Sequence, residues 1–299
     1  MRINQIRDFV AVIQAGSLRA AARALGVSQP GITKSIRQLE AELGAQLLQR
    51  SGRGAVATPA GKAFLVRARL VQAELRKVAD ELKPFQGASE GSVAFGVAPQ
   101  ASMLIVPDAM RQFRHRHPNA RVRIVEGVST ALLPAVRDET FDFAIAGSMR
   151  PLDPGLRFKP LVRLPLVVAA RPGHALRGAT SLRELAEASW LMYYPLGAGG
   201  MLEKAFAASG LPMPRAIVQC ESYATALALI AGSDTLGLIT PRVMKSRLGL
   251  YQLEQINIRE TIPAPVLGLY VRSDAPLTAA AAAMAQAITA SARQLAREG

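Results

Sequence analysis

The stretch from Ser17 to Leu39, S-L-R-A-A-A-R-A-L-G-V-S-Q-P-G-I-T-K-S-I-R-Q-L, restricts the fold more than any other part of this chain. It reads as two short helices around a tight turn. Ser17 is placed to cap the first by accepting an orphan amide. Ala20, Ala21 and Ala24 give small contact positions, and Leu25 closes that face. Gly26 suits the left-handed residue that ends a helix, and Ser28 the cap of the next. Pro30 falls in a first turn, where a missing amide is tolerated. Ile32, Ile36, Leu39 and Leu43 follow at +4, +3 and +4, which predicts one buried face. Gln29, Pro30, Thr33, Lys34 and Arg37 share a different arc of roughly 140°, at about 100° per residue. An amide, a hydroxyl and two cations are groups that read base edges and hold phosphates. The stretch is therefore a helix-turn-helix candidate whose second helix would read DNA. Taken alone, it also suits a solvated helix pair in a bundle.

Charge is uneven along the 299 residues. Positions 1–88 hold 14 Lys+Arg against 6 Asp+Glu, and the other 211 hold 22 against 16, within a total of +14. A basic N-terminal segment suits a polyanion. A membrane surface is the weaker partner, because no apolar run approaches about 18 residues and no signal-peptide pattern is present. The single cysteine, Cys220, excludes an intrachain disulfide and a multi-cysteine zinc site, and His115, His117 and His174 lack metal-ligand spacing. A cytoplasmic protein without metal or cofactor is expected.

In chain order, Ile3 to Ala15 predicts a helix with Ile6, Phe9, Val10 and Ile13 on one face. Gln46–Arg50 and Ala55–Thr58 flank Ser51-Gly52-Arg53-Gly54, a short hairpin whose Arg50 and Arg53, together with Ser28 before the second helix, are further expected DNA contacts. Thr58-Pro59-Ala60-Gly61 starts a long helix. Phe64, Ala68, Val71, Leu75, Val78 and Leu82 then recur at +4, +3, +4, +3 and +4, a heptad seam. Such a seam could pack on the chain's own later domain; the expectation is that it joins two copies and presents two recognition helices to the halves of a dyad. Gln86 to Ser92 reads as a Gly/Ser-rich linker.

Beyond it, apolar strands alternate with helices. Strands are expected at Val93–Val97, Val122–Val125, Phe141–Ile145, Leu166–Ala170, Trp190–Tyr193, Ala216–Cys220, Leu236–Thr240, Leu250–Leu253 and Val266–Val271. Helices are expected at Met103–Arg116, Ala131–Asp138, Leu182–Glu187, Met201–Ser209, Tyr223–Ala231 and Leu277–Arg297. The pattern predicts α/β domains built on mainly parallel sheets. No GxxxxGKS loop, G-x-S-x-G elbow or His/carboxylate cluster points to an enzyme.

These elements, with A-G-S-L-R-A-A-A-R-A-L-G-V-S-Q-P-G-I-T-K-S-I-R-Q-L-E-A-E-L-G followed by L-L-Q-R-S-G-R-G and T-P-A-G, resemble the LysR-type transcriptional regulators over essentially the whole chain. Gly31 departs from the alanine usual there. The resemblance implies a winged helix-turn-helix (1–58), a dimerising linker helix and hinge (59–90), and an effector-binding domain (91–299). That domain would be two α/β subdomains like those of periplasmic solute-binding proteins, the first at 91–163 and 267–299, the second at 164–266. The cleft between them would take a small effector at the strand ends. Its expected contacts are Pro99, Gln100, Ala101, Ser102, Val128, Ser129, Thr130, Gly147 and Ser148 from the first subdomain. Tyr194, Gly197, Gly199 and Ser222 face them from the second, and helix starts of this kind favour an anion. P-Q-A, C-E-S-Y and I-T-P-R loosely resemble regulators of aromatic sulfonate and related acid catabolism, so an organic acid or sulfonate is expected. The implied partners are double-stranded DNA, a second or fourth copy of the chain, and RNA polymerase. A DNA-binding protein with an effector-free C-terminal module is the alternative.

Overall fold

The computed structural model describes residues 1–51, 54–82, 91–149, 151–197, 199–245 and 251–297. They form two units, Met1–Ser89 with Asp138–Thr140, and the remainder of the chain. Expectations for Arg53, for most of the 86–92 linker and for Leu250 lie outside the described residues, as do the side chains of Arg50 and Leu82.

The N-terminal unit runs α1 (Ile3–Ala15), α2 (Leu18–Leu25), α3 (Gln29–Leu43), β1 (Leu48–Ser51), β2 (Gly54–Ala57) and α4 (Pro59–Leu82). The punctuation is that of the sequence. Ser17 Oγ accepts from the Ala20 amide at 3.1 Å, and Ser28 Oγ from the Gly31 amide at 3.2 Å. Gly26 and Gly44 end α2 and α3 at φ +67° and +62°, a region that disfavours any Cβ. Ile6, Phe9, Val10, Ile32, Ile36 and Leu39 fill the core, and Phe64 of α4 meets Phe9 edge-on at 5.2 Å. Leu43 departs from expectation: as the last residue of α3 it is 41% exposed.

The hairpin is held from beneath. Glu40 of α3 accepts the Leu47 and Leu48 amides at 2.8 and 3.0 Å, which fixes where β1 begins. Ala55 at the start of β2 donates to the Gly16 carbonyl at 2.8 Å. Two hydrogen bonds to one carboxylate predict that Glu40→Ala lowers the stability of this unit by about 2 kcal/mol. Denaturant unfolding would read that loss, and an unchanged midpoint would remove Glu40 from the role.

The C-terminal unit begins with β3 (Ser92–Val97), α5 (Pro99–Leu104), α6 (Val106–Arg116), β4 (Arg121–Glu126), α7 (Ser129–Arg137), β5 (Phe143–Gly147) and β6 (Leu156–Arg163). The chain then crosses to β7 (Val167–Ala170), β8 (Ser189–Met192), α8 (Met201–Ala208), β9 (Ile217–Gln219), α9 (Tyr223–Gly232), β10 (Thr235–Ile239), α10 (Pro241–Met244) and β11 (Glu254–Ile256). It returns as β12 (Val266–Arg272) and α11 (Ala279–Arg297). Two five-stranded sheets result, ordered β4-β3-β5-β12-β6 and β11-β7-β10-β8-β9. Where the chain crosses, the Leu164 amide donates to the Pro265 carbonyl at 3.1 Å.

Both sheets are mixed, a correction to the mainly parallel expectation. β3 lies parallel to β4 and β5, but β12 is antiparallel to β5 and β6; β7 is likewise antiparallel to β10 and β11. Apolar runs report burial on both faces and do not encode direction. Leu182–Glu187 is a series of turns, and the edge strand starts at Glu254 rather than in the expected Leu250–Leu253. The expected helix at Met103 begins at Pro99 and breaks at Ile105.

Candidate functional site

Two surfaces carry the chemistry. On α3, Gln29, Pro30, Thr33, Lys34 and Arg37 line one open recess of about 860 Å³. Thr33 is half-buried and the other four are exposed. No ion pair among the described residues engages Lys34 or Arg37, so both cations are free for a phosphate or a base edge. Ser28 stands at the end of this face with its hydroxyl committed to the α3 cap. Gln38 and Ala41 line the same recess and were not anticipated. Continuing the same helical arithmetic one turn further would have included Ala41, whereas Gln38 falls about 40° beyond the arc.

On α4 the heptad residues divide. Ala68 is 1% exposed inside the N-terminal core and Phe64 packs on Phe9, whereas Val71, Leu75 and Val78 are 40%, 40% and 54% exposed. The outward apolar stripe is therefore shorter than the sequence repeat.

The second surface lies where β3, β4, β5 and β8 end. Pro99, Gln100, Val128 and Tyr194 line a small cleft of about 60 Å³ with Tyr193, Gly200 and Met201. Ser129 Oγ donates to the Gly147 carbonyl at 3.2 Å and lies 3.5 Å from the Tyr194 hydroxyl, so these three meet across the two subdomains. Tyr270, missed in the sequence, donates to the same carbonyl at 3.1 Å and accepts the Met149 amide at 2.8 Å. It sits on β12, far from the others in the chain, and no local pattern marks it.

Of the remaining expected contacts, several are engaged within the chain and others face outward. Ala101 is buried in the first core, and Ser102 turns away, 2.6 Å from Glu126 Oε2. Thr130 and Ser148 are exposed, and the Ser148 amide donates to the Val266 carbonyl. Ser222 caps α9, accepting from the Thr225 amide and hydroxyl. The loop Gly197 to Gly200, expected to hold an anion at the start of α8, already has one. Glu203 accepts the Gly197 and Gly200 amides at 2.6 and 2.8 Å.

Tyr193 and Tyr223 meet behind the cleft with ring centres 5.2 Å apart and planes tilted by 38°, and neither hydroxyl has a hydrogen-bond partner among the described residues. Burial pushes both phenols up. At Tyr193 the neighbouring Tyr223, then Cys220 and Glu126, add to the effect, and at Tyr223 the charge of Glu126 does. Among the described residues no group of His, Cys, Asp or Glu is arranged to hold a metal, and no helix is long and apolar enough to cross a membrane.

Comparison with known proteins bears on both surfaces. Residues 3–62 match the family model of bacterial regulatory helix-turn-helix proteins of the lysR family, and residues 86–293 match the LysR substrate binding domain. The SDS degradation transcriptional activation protein of a Pseudomonas species is 30% identical over 295 residues, covering 94% of each protein. The regulator TdcA of Escherichia coli K12 is 29% identical over 259 residues, 85% of this chain and 82% of its own. Among solved structures, the LysR family regulator CbnR superposes with a TM-score of 0.70 at 22% identity, covering 98% of this chain and 99% of that one. CbnR with its target DNA gives 0.67 at the same identity, covering 97% and 100%.

Proposed function

The chain belongs to the LysR family of DNA-binding transcriptional regulators, with an effector-binding domain and no enzymatic role, and from that premise we propose how it reads DNA and what switches it. It binds an interrupted dyad near a promoter in the cytoplasm as a homodimer, or as a homotetramer that bends the DNA. α3 enters the major groove through Gln29, Thr33 and Arg37, with Pro30 and Lys34 along the backbone, while Arg50 and Arg53 extend the contact from the hairpin. The observation that carries this reading is the recess of α3, where two unpaired cations, an amide and a hydroxyl face outward together.

Pairing runs through Val71, Leu75 and Val78 of α4, the exposed part of the heptad stripe. Leu75→Glu is expected to halve the mass seen by sedimentation and to weaken binding to the full dyad by roughly 10²-fold, since the two half-sites then bind independently. An unchanged mass would place the joint elsewhere.

The effector is an organic acid or sulfonate held between Ser129, Gln100 and Tyr194. A relative named for SDS degradation is in keeping with an acidic organosulfur ligand. The cleft of about 60 Å³ is far smaller than the several hundred Å³ typical of ligand sites, so binding selects a more open arrangement of the subdomains. Such a shift alters the spacing of the DNA-reading heads and hence access of RNA polymerase. Footprinting on the promoter of the neighbouring operon, with and without ligands found by thermal shift in a library of aromatic acids and sulfonates, tests both halves. A single short protected half-site would overturn the dyad. Absence of any stabilising acid would favour an effector-free module, the reading that the small cleft also permits.

A further inference from the structure

The tilted pair Tyr193 and Tyr223 separates two cavities. Tyr193 lines the strand-end cleft. Tyr223 lines a separate and larger cavity of about 290 Å³, between α5, the end of β4, α9 and α10. We propose that this second cavity binds a small primary amine bearing one apolar group of aromatic size, with its ammonium on Glu126 and its body against Tyr223, Leu227 and Met244.

The volume comes close to the lower limit for ligand sites, about 300 Å³. Apart from Glu126 and Ser222 the walls are apolar or aromatic side chains, with two aromatic faces, Tyr223 and Tyr251, and two thioethers, Met103 and Met244. Aromatic faces attract cations, and methionine adapts to irregular ligands. Glu126, at the carboxyl end of β4, supplies the charge. Its Oε2 lies 2.6 Å from the Ser102 hydroxyl, and no cation among the described residues pairs with it, although the chain as a whole carries +14.

A second observation points the same way. Tyr223 is 2% exposed, yet its hydroxyl has no hydrogen-bond partner among the described residues. Buried hydroxyls are ordinarily satisfied. Glu126 and Tyr223 line the same cavity. An ammonium on Glu126 has further N–H groups with which to answer it. An acid would meet the Glu126 charge instead, so this cavity selects the opposite sign from the one proposed for the cleft.

Calorimetry on the full-length protein without DNA tests the assignment, with phenethylamine as the probe and phenylacetate as its anionic counterpart. Phenethylamine is expected to bind saturably at one per chain, and phenylacetate not to occupy this site. Glu126→Gln is expected to weaken the amine at least tenfold. Leu227→Trp, which fills the cavity, should abolish binding; if that variant does not fold by circular dichroism, Ala224→Trp at the rim takes its place. Met201→Trp, in the other cleft, should leave amine binding unaltered. No binding of the amine, equal binding to Glu126→Gln and to the tryptophan variant, or loss only with Met201→Trp would each overturn the proposal.

Discussion

Gly61→Ala is expected to destabilise the N-terminal unit by ~3 kcal/mol and to remove operator binding with it. Two effects oppose one another. Gly61 lies within α4, and alanine is the better helix former by roughly 0.8–1 kcal/mol, so propensity alone predicts stabilisation. Packing predicts the reverse: a Cβ at position 61 would lie 2.0 Å from the Leu47 carbonyl oxygen and 2.9 Å from its carbon. Leu47 has little room to withdraw. Its amide is held by Glu40, and its carbonyl accepts the Thr58 amide at 3.0 Å. Thr58 in turn bonds the Gln46 carbonyl and caps Gly61 itself. A backbone clash in a pinned turn exceeds the propensity gain, and the sign is destabilising. Thermal melting with a gel shift reads both consequences. A variant that melts higher than the parent would mean that propensity wins and the clash is relieved by a backbone shift.

Arg37→Ala is expected to lower specific operator affinity by about 1–3 kcal/mol, roughly 5- to 150-fold, the range for losing a base-edge contact. The guanidinium is exposed, free of any ion pair among the described residues, and central to the α3 recess. Arg37→Lys should recover little, because an ammonium cannot reproduce a two-pronged contact. Lys34→Ala is the comparison: a lost phosphate contact lowers affinity on all sequences alike and reduces the salt slope by about 0.9. Arg53→Ala should resemble Lys34→Ala. If Arg37→Ala and Lys34→Ala give the same loss on specific and random DNA, Arg37 is a phosphate contact and base reading lies with Gln29 and Thr33.

The DNA-reading unit was legible in the sequence because its boundaries are set by local chemistry. Ser17, Gly26 and Ser28 act within a turn of where they stand in the chain. The effector unit was legible only in outline. β6 reads L-R-F-K-P-L-V-R, polar enough to pass for a loop, and becomes a strand because it pairs with β12 at the sheet edge, where its Pro160 faces Gly268 beside a register shift. Leu182–Glu187 has helical spacing but is too short to repay nucleation without a partner. Glu203 was readable in principle, since an acid three residues into a helix is a capping signal. The tyrosine partition was not, because its members lie on different elements and meet only through the sheet.

The clamp at the start of α4 makes the DNA-reading head and its stalk a single lever. Gly61 abuts Leu47, Phe64 rests on Phe9 and Ala68 lies in the same core, so the first turns of α4 cannot swivel independently of α3. The stalk has 24 residues, a span of about 36 Å at 1.5 Å per residue. Tilting it by about 10° at the far end swings the near end by roughly 6 Å, close to two base-pair steps of about 3.4 Å. A signal arriving at the far end therefore needs only a small change of angle to move a recognition helix from one register of the duplex to another.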